Sequence, residues 1–309
     1  MNIWRGILSC LIVLVLSGCA ISIDEPDPQT ERIEEQTASE QEKTKNVEQV
    51  QEEGKTSSNA LTQFFEHFFD PSTEDSPDMD VEQAKQLHYL ALGDSLTEGV
   101  GDEYSQDGYV GRLAGTLQTW SSISEVEIDN RGKRGRRSDQ LLKLLEKGHY
   151  DEELQQAQFI SMTMGGNDVM KVVKKDVFNL KRNAFDAELL AYEERYSKII
   201  ASIREKNPTV PLLLIGFYNP FSIVTQEANE FDTIITEWNR MIENIASKDT
   251  NACYVSVEDL FDSNEELVYH TDFFHPNAKG YDKMTERIVA SMELCDMEQK
   301  IKQEIGFEE

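Results

Sequence analysis

Residues 210–217, Val-Pro-Leu-Leu-Leu-Ile-Gly-Phe, constrain the fold more than any other stretch. The run is apolar without alternation, so a strand built from it buries both faces. Strands of that kind belong to parallel sheets covered by helices on both sides. Shorter runs at 88–92, 159–164 and 252–257 read as further strands, and 125–129 reads as a short alternating strand. Between them the apolar residues recur at helical spacing: 109–120, 138–145, 184–205, 229–247 and 278–292, with Ser138 placed as an N-cap. Alternating strands and helices predict an α/β fold with a central parallel sheet over residues 86–295. Residues 296–309 read as a polar C-terminal tail or a helical extension, and no internal repeat is visible.

The chain of 309 residues carries a net charge of −28, which excludes non-specific nucleic-acid binding through clustered Lys and Arg. At its start Arg5 precedes an apolar run, 7–16, too short to span a bilayer but suited to a signal-peptide core. It closes in Leu16-Ser17-Gly18-Cys19, which resembles the lipobox of bacterial lipoproteins. That resemblance implies a signal peptide over 1–19, lipidation of Cys19 and an extracytoplasmic, membrane-anchored protein. An ordinary secretory signal and an uncleaved anchor are the alternatives. Residues 20–85 are expected to be an acidic, largely disordered tether, because most of that stretch lacks the large apolar residues that would offset ordering entropy. Within it Leu61-Thr62-Gln63-Phe64-Phe65-Glu66-His67-Phe68-Phe69 is expected to dock on the folded domain rather than dip into a membrane interface. Of the four cysteines, Cys253 and Cys295 are read as two separate thiols, with a disulfide as the alternative.

Open parallel sheets place their sites at the carboxyl ends of the strands. Four segments fall there. Gly93-Asp94-Ser95 follows the first strand, and Asn130-Arg131-Gly132-Lys133-Arg134-Gly135 follows the second. Gly165-Gly166-Asn167-Asp168 follows the third, and Asp272-Phe273-Phe274-His275-Pro276 precedes the last helix. Each is common alone; all of them in this order are specific.

In these blocks the chain resembles the SGNH hydrolase superfamily, GDSL-type esterases and lipases, over about 88–288. The resemblance implies a flavodoxin-like three-layer α/β/α sandwich and a Ser-His-Asp esterase with no cofactor. It assigns the nucleophile to Ser95, the general base to His275 and its orienting acid to Asp272. The oxyanion donors fall on the backbone N–H groups of Ser95 and Gly135 and on the Asn167 side chain. Asp94, Thr97 and Asp168 are expected to stiffen the loops rather than do chemistry.

Tyr218-Asn219-Pro220-Phe221 follows the fourth strand and is similar to a run in lipase/acylhydrolase-like lipoproteins. Asn219 and Phe221 are therefore candidate substrate-lining residues, against the plainer reading of a turn fixed by Pro220. The basic run Arg131, Lys133, Arg134, Arg136, Arg137 lies beside Gly135, so Arg136 and Arg137 are either anion readers or members of a solvated, ion-paired loop. His270, Asp272 and His275 are too few for a complete metal site, and no metal is expected. The expected substrate is a lipid or other acyl ester, with a carbohydrate or cell-wall O-acetylester as the alternative and a monomer as the expected state. The intact Ser95, Asp272 and His275 set speaks against a non-catalytic envelope-binding lipoprotein.

Overall fold

The computed structural model describes residues 83–176, 179–222, 230–263 and 266–307. The signal peptide, Cys19, the tether and the aromatic segment 61–69 lie outside the described residues. In chain order the elements are β1 (Lys85–Gly93), α1 (Ser95–Glu98), α2 (Gly108–Leu117), β2 (Ile123–Gly132), α3 (Ser138–Glu146), α4 (Asp151–Gln156) and β3 (Phe159–Thr163). There follow α5 (Gly166–Lys175), α6 (Arg182–Lys206), β4 (Leu212–Ile215), α7 (Glu230–Ala246), β5 (Ala252–Val255), a 3₁₀ turn (Glu258–Phe261), α8 (Ala278–Leu294) and α9 (Met297–Glu304). Among the described residues no helix is long and apolar enough to cross a membrane.

The five strands order as β2-β1-β3-β4-β5, and every pairing is parallel. This is the doubly wound order in which strand order reverses at β1/β3. Side chains alternate across each strand. Leu90, Leu92, Ile160, Met162, Leu212 and Leu214 point into a core shared with α3 to α7. Leu87, Tyr89, Ala91, Leu213, Ile215 and Val255 point into a second core under α2, α8 and α9. The sheet is thus the middle of three layers, as the unbroken apolar run at 210–217 requires.

Several local expectations are corrected. β4 is shorter than its apolar run. Pro211 has no N–H to donate, and at the other end Asn239 of α7 bonds Phe217 N (3.1 Å) and O (2.7 Å), taking the place of a neighbouring strand. Ser138 is the first residue of α3, not its cap. Gln140 Oε1 accepts from the Arg137 N–H at 3.0 Å, while the Ser138 hydroxyl turns to Asp168. Of the two readings of the C-terminal segment, the helical extension holds and the polar tail does not: Met297, Ile301 and Ile305 recur at helical spacing and are buried in the second core. Cys253 and Cys295 are not separate thiols. α8 packs on β5 and brings the two Cα atoms to 5.9 Å, and the sulfurs form a disulfide.

Candidate active site

β1 runs out at Gly93, and the chain turns at once into α1. A Cβ on Gly93 would fall 2.2 Å from Thr97 Oγ1 and 2.8 Å from the Thr163 carbonyl oxygen, so only glycine lets these segments meet. Asp94 caps the turn: its Oδ1 accepts from Leu96 N–H at 3.1 Å and from the Thr163 hydroxyl at 2.9 Å. Thr97 Oγ1 sits within hydrogen-bond distance of Leu92 O, Tyr109 Oη and Thr163 Oγ1 (3.1, 2.9 and 2.7 Å). Buried hydroxyls and one carboxylate thus hold the turn from below, and Ser95 opens α1 with its Oγ at the sheet edge.

His275 Nε2 lies 2.9 Å from Ser95 Oγ, although 180 residues separate them. Its Nδ1 lies 2.6 Å from Asp272 Oδ2. A carboxylate only accepts, so Nδ1 carries a ring proton, and in the neutral imidazole Nε2 then faces the serine with a lone pair. Asp272 Oδ1 accepts from the backbone N–H groups of Phe274 and His275, each at 3.0 Å, which fixes the carboxylate before it meets the ring. Burial by itself raises the Asp272 carboxyl, but hydrogen bonds from the His275 ring and from these backbone groups outweigh it and hold the group well below the usual range. The loop is pinned from the side as well, because the Tyr218 hydroxyl donates to Phe274 O at 2.7 Å.

The expected oxyanion donors lie on three strand ends. Ser95 is the first residue of its helix, so its N–H has no intrahelical acceptor. Gly135 sits in a turn closed by Arg136 N–H to Lys133 O at 3.0 Å and adopts φ +78, a left-handed conformation that favours glycine. A Cβ there would meet nothing within 4 Å, so conformation rather than crowding selects the residue. Asn167, on the first turn of α5, lines the same cleft as Ser95 and donates one amide hydrogen to Arg136 O at 3.1 Å. That bond ties the Asn167 side chain to the Gly135 turn.

From Ser95 a cleft of about 520 Å³, its mouth included, runs between α5, α7 and the segment after β4. Its walls include Val169, Met170, Phe217, Phe221, Ile235 and Phe274. Of the candidate lining residues, Phe221 belongs to this wall and Asn219 does not. Asn219 is spent on the turn, accepting from Phe221 N–H at 2.9 Å and donating to Asp232 at 2.6 Å. Arg136 and Arg137 are also absent from the wall. Arg136 reaches inward to Arg131 O and, at 3.3 Å, to the Tyr150 hydroxyl, and Arg137 is held by both oxygens of Asp139 at 2.9 and 3.0 Å. Met170 and Ile235 carried no signal as site residues in the sequence, since apolar residues at helical spacing read as core; Met170 was detectable only as a residue one turn beyond Asn167.

Two further carboxylates lie beneath the site. Burial pushes Asp94 up to about 6, against the hydrogen bonds from Leu96 and Thr163 and the nearby His275, which lower it. Burial also raises Asp168, which accepts from the Ser138 N–H and hydroxyl and pairs with Arg195. Among the described residues no group of three His, Cys, Asp or Glu is placed to hold a metal ion.

Residues 91–283 match the GDSL-like Lipase/Acylhydrolase family. The uncharacterized protein YpmR of Bacillus subtilis (strain 168) is 37% identical over 200 residues, covering 64% of this chain and 78% of that one. The spore germination lipase LipC of Bacillus licheniformis is 27% identical over 212 residues, covering 66% of this chain and 96% of that one. Among solved structures, the lipase Lip_vut3 from a goat rumen metagenome superposes with a TM-score of 0.59 at 26% identity, covering 66% of this chain and 97% of that one. With the family matched along most of the described sheet and its helices, the chain belongs to the GDSL-like lipase/acylhydrolase family of the SGNH hydrolase superfamily and is a carboxylic ester hydrolase.

Proposed function

We propose that the protein cleaves acyl esters through an acyl-enzyme on Ser95. The observation that carries the reading is the 2.9 Å approach of His275 Nε2 to Ser95 Oγ at the mouth of an apolar cleft. His275 takes the serine proton as Oγ attacks the carbonyl carbon, and Asp272 stabilises the imidazolium that forms. The carbonyl oxygen becomes an oxyanion, met by the N–H groups of Ser95 and Gly135 and by the Asn167 amide. Collapse expels the alcohol, which takes its proton from His275. Water then repeats the sequence on the acyl-Ser95 ester and releases the acid.

The acyl group is a hydrocarbon chain rather than acetyl. The cleft beside Ser95 is walled by apolar side chains, Met170 and Ile235 among them, and each methylene buried against such a wall contributes about 0.8 kcal/mol. The relative from Bacillus licheniformis bears the name of a lipase, which agrees with this reading. The sequence around Cys19 supports an acylated, extracytoplasmic protein anchored to the cell membrane. No cofactor enters the mechanism, and the protein acts as a monomer.

The test is a panel of p-nitrophenyl esters from acetate to dodecanoate, with an acetylated glycan and with Ser95→Ala as control. Hydrolysis should depend on Ser95 and peak at a medium or long chain. Full activity in Ser95→Ala would overturn the mechanism, and faster turnover of the acetylated glycan would overturn the substrate class. Anchoring is read by fatty-acid labelling of the full chain in bacterial cells, which Cys19→Ala should abolish; unchanged labelling would exclude that site.

A further inference from the structure

Asn167 and Gly135 sit at the ends of different strands, yet the mechanism needs their donors at one point. The two backbones are joined below the cleft, out of reach of substrate. Asp168, next to Asn167, is wholly buried. Its Oδ2 accepts from Ser138 N–H at 3.0 Å and its Oδ1 from the Ser138 hydroxyl at 2.6 Å, so the start of α5 is tied to the start of α3. Ser138 lies three residues after Gly135. The long helix α6 packs on both α3 and α5 and supplies the remaining member. Arg195 Nε donates to Ser138 Oγ at 2.7 Å, and its Nη2 donates to Asp168 Oδ1 at 3.1 Å and to Glu188 Oε1 at 2.7 Å.

We infer that Arg195 is a positioning residue for the oxyanion hole, acting through the Asp168–Ser138 pair to hold the Asn167 and Gly135 loops in register. The inference rests on the assignment of those two residues as oxyanion donors. A planar guanidinium suits the task, because its fixed fork reaches two acceptors on different elements at once, where an ammonium offers a single point charge. Arg195 lines no part of the cleft, so it does not touch substrate. The arrangement also explains the buried carboxylate: an unpaired Asp168 would carry a desolvation penalty, and here Ser138 and Arg195 surround it. Both loops continue into helices, so a shift of their first turns carries the donors with it. A displacement of about 1 Å at a catalytic group costs on the order of 100-fold in rate.

The test is a double-mutant cycle on p-nitrophenyl butanoate, read as kcat and KM separately. Asn167→Ala alone should lower kcat about 100-fold. Arg195→Met alone should lower kcat about 30-fold with KM within about twofold, because ground-state binding is made by the apolar wall. In the Asn167→Ala background the Arg195→Met loss should shrink to about fivefold or less, since one of the two donors it aligns is already gone. The same loss in both backgrounds, or no loss in either, overturns the inference; a lower melting temperature alone does not produce the coupling. An Asn167→Ala enzyme with undiminished kcat overturns the oxyanion assignment instead, which separates the two failures. If Arg195→Met does not fold, Arg195→Lys serves in the same cycle: it keeps the charge beside Asp168 and loses the fork, and it should show the same coupling at a smaller amplitude.

Discussion

The Thr163 hydroxyl donates to Asp94 Oδ1 at 2.9 Å, joining the end of β3 to the residue that precedes Ser95. The Leu96 N–H uses the same oxygen, so one carboxylate oxygen carries both bonds. Asparagine has an equivalent carbonyl oxygen and would keep both.

Asp94→Asn should therefore leave the turn intact and change how stability depends on pH. Burial raises the Asp94 carboxyl from 3.8 to about 6 in the folded protein. A raised acid binds its proton more tightly when folded, so between those values the folded state takes up a proton. Stability from this group is present at low pH and falls as pH rises through the window, leaving a cost above pH 6 of about 3 kcal/mol. The variant escapes that cost. Its melting temperature should match wild type near pH 4 and exceed it near pH 8. A variant that melts lower at both would show that ionised Asp94 is a net stabiliser.

Ile235 lines the cleft from α7 and is buried, with Phe231 and Trp238 on the same helix also in the core. Ile235→Trp should narrow the cleft. Hydrolysis of p-nitrophenyl octanoate should fall about tenfold or more relative to acetate, the smaller acyl group. An unchanged octanoate-to-acetate ratio would place the acyl chain elsewhere.

The disulfide between Cys253 and Cys295 spans 42 residues of sequence and lies on the opposite side of the sheet from the cleft. Closing a loop of that length stabilises the fold by about 4 kcal/mol in the chain-entropy account. Cys253→Ser with Cys295→Ser should lower the melting temperature by about 10 °C and leave kcat at 25 °C within twofold. Thiol titration of the denatured wild-type protein, before and after reductant, checks the bond directly.

Arg136 bonds Arg131 O and the Tyr150 hydroxyl and Arg137 pairs with Asp139, which favours the ion-paired reading of the basic run over anion recognition. Arg136→Gln should slow neutral and anionic esters by the same factor, because what it loosens is the Gly135 turn. A selective loss on anionic esters would restore the recognition reading.

Much of the fold was legible because it rests on local regularities. The unbroken apolar run at 210–217 reads as an inner strand of a covered sheet, the mostly apolar runs at 88–92 and 159–164 read as further strands, and the helical spacing between them supplies the covers. The site blocks were legible for a related reason: Ser95, Asn167 and the Asp272–His275 pair each sit on a short turn at a strand end or before a helix, where sequence order and fold order coincide. Residues that serve through one direction of their side chain were not legible. Asn219 looked like a lining residue and folds its own turn, Ser138 looked like a cap and bonds Asp168, and Ile235 looked like core and lines the cleft.

By itself, then, the sequence determined the layered α/β class and the order of the reactive blocks, since periodicity and turn residues act within a few positions of the chain. Which residues meet across distance follows from how the elements pack on the sheet. The strand order β2-β1-β3-β4-β5 brings the ends of β1, β2 and β3 together at the site. It sets His275 against Ser95 across 180 residues, closes Cys253 on Cys295, and lets Arg195 of α6 reach under two loops at once. Those pairings follow from the packing of elements against one sheet, and no residue type or spacing encodes the direction in which a side chain leaves its turn.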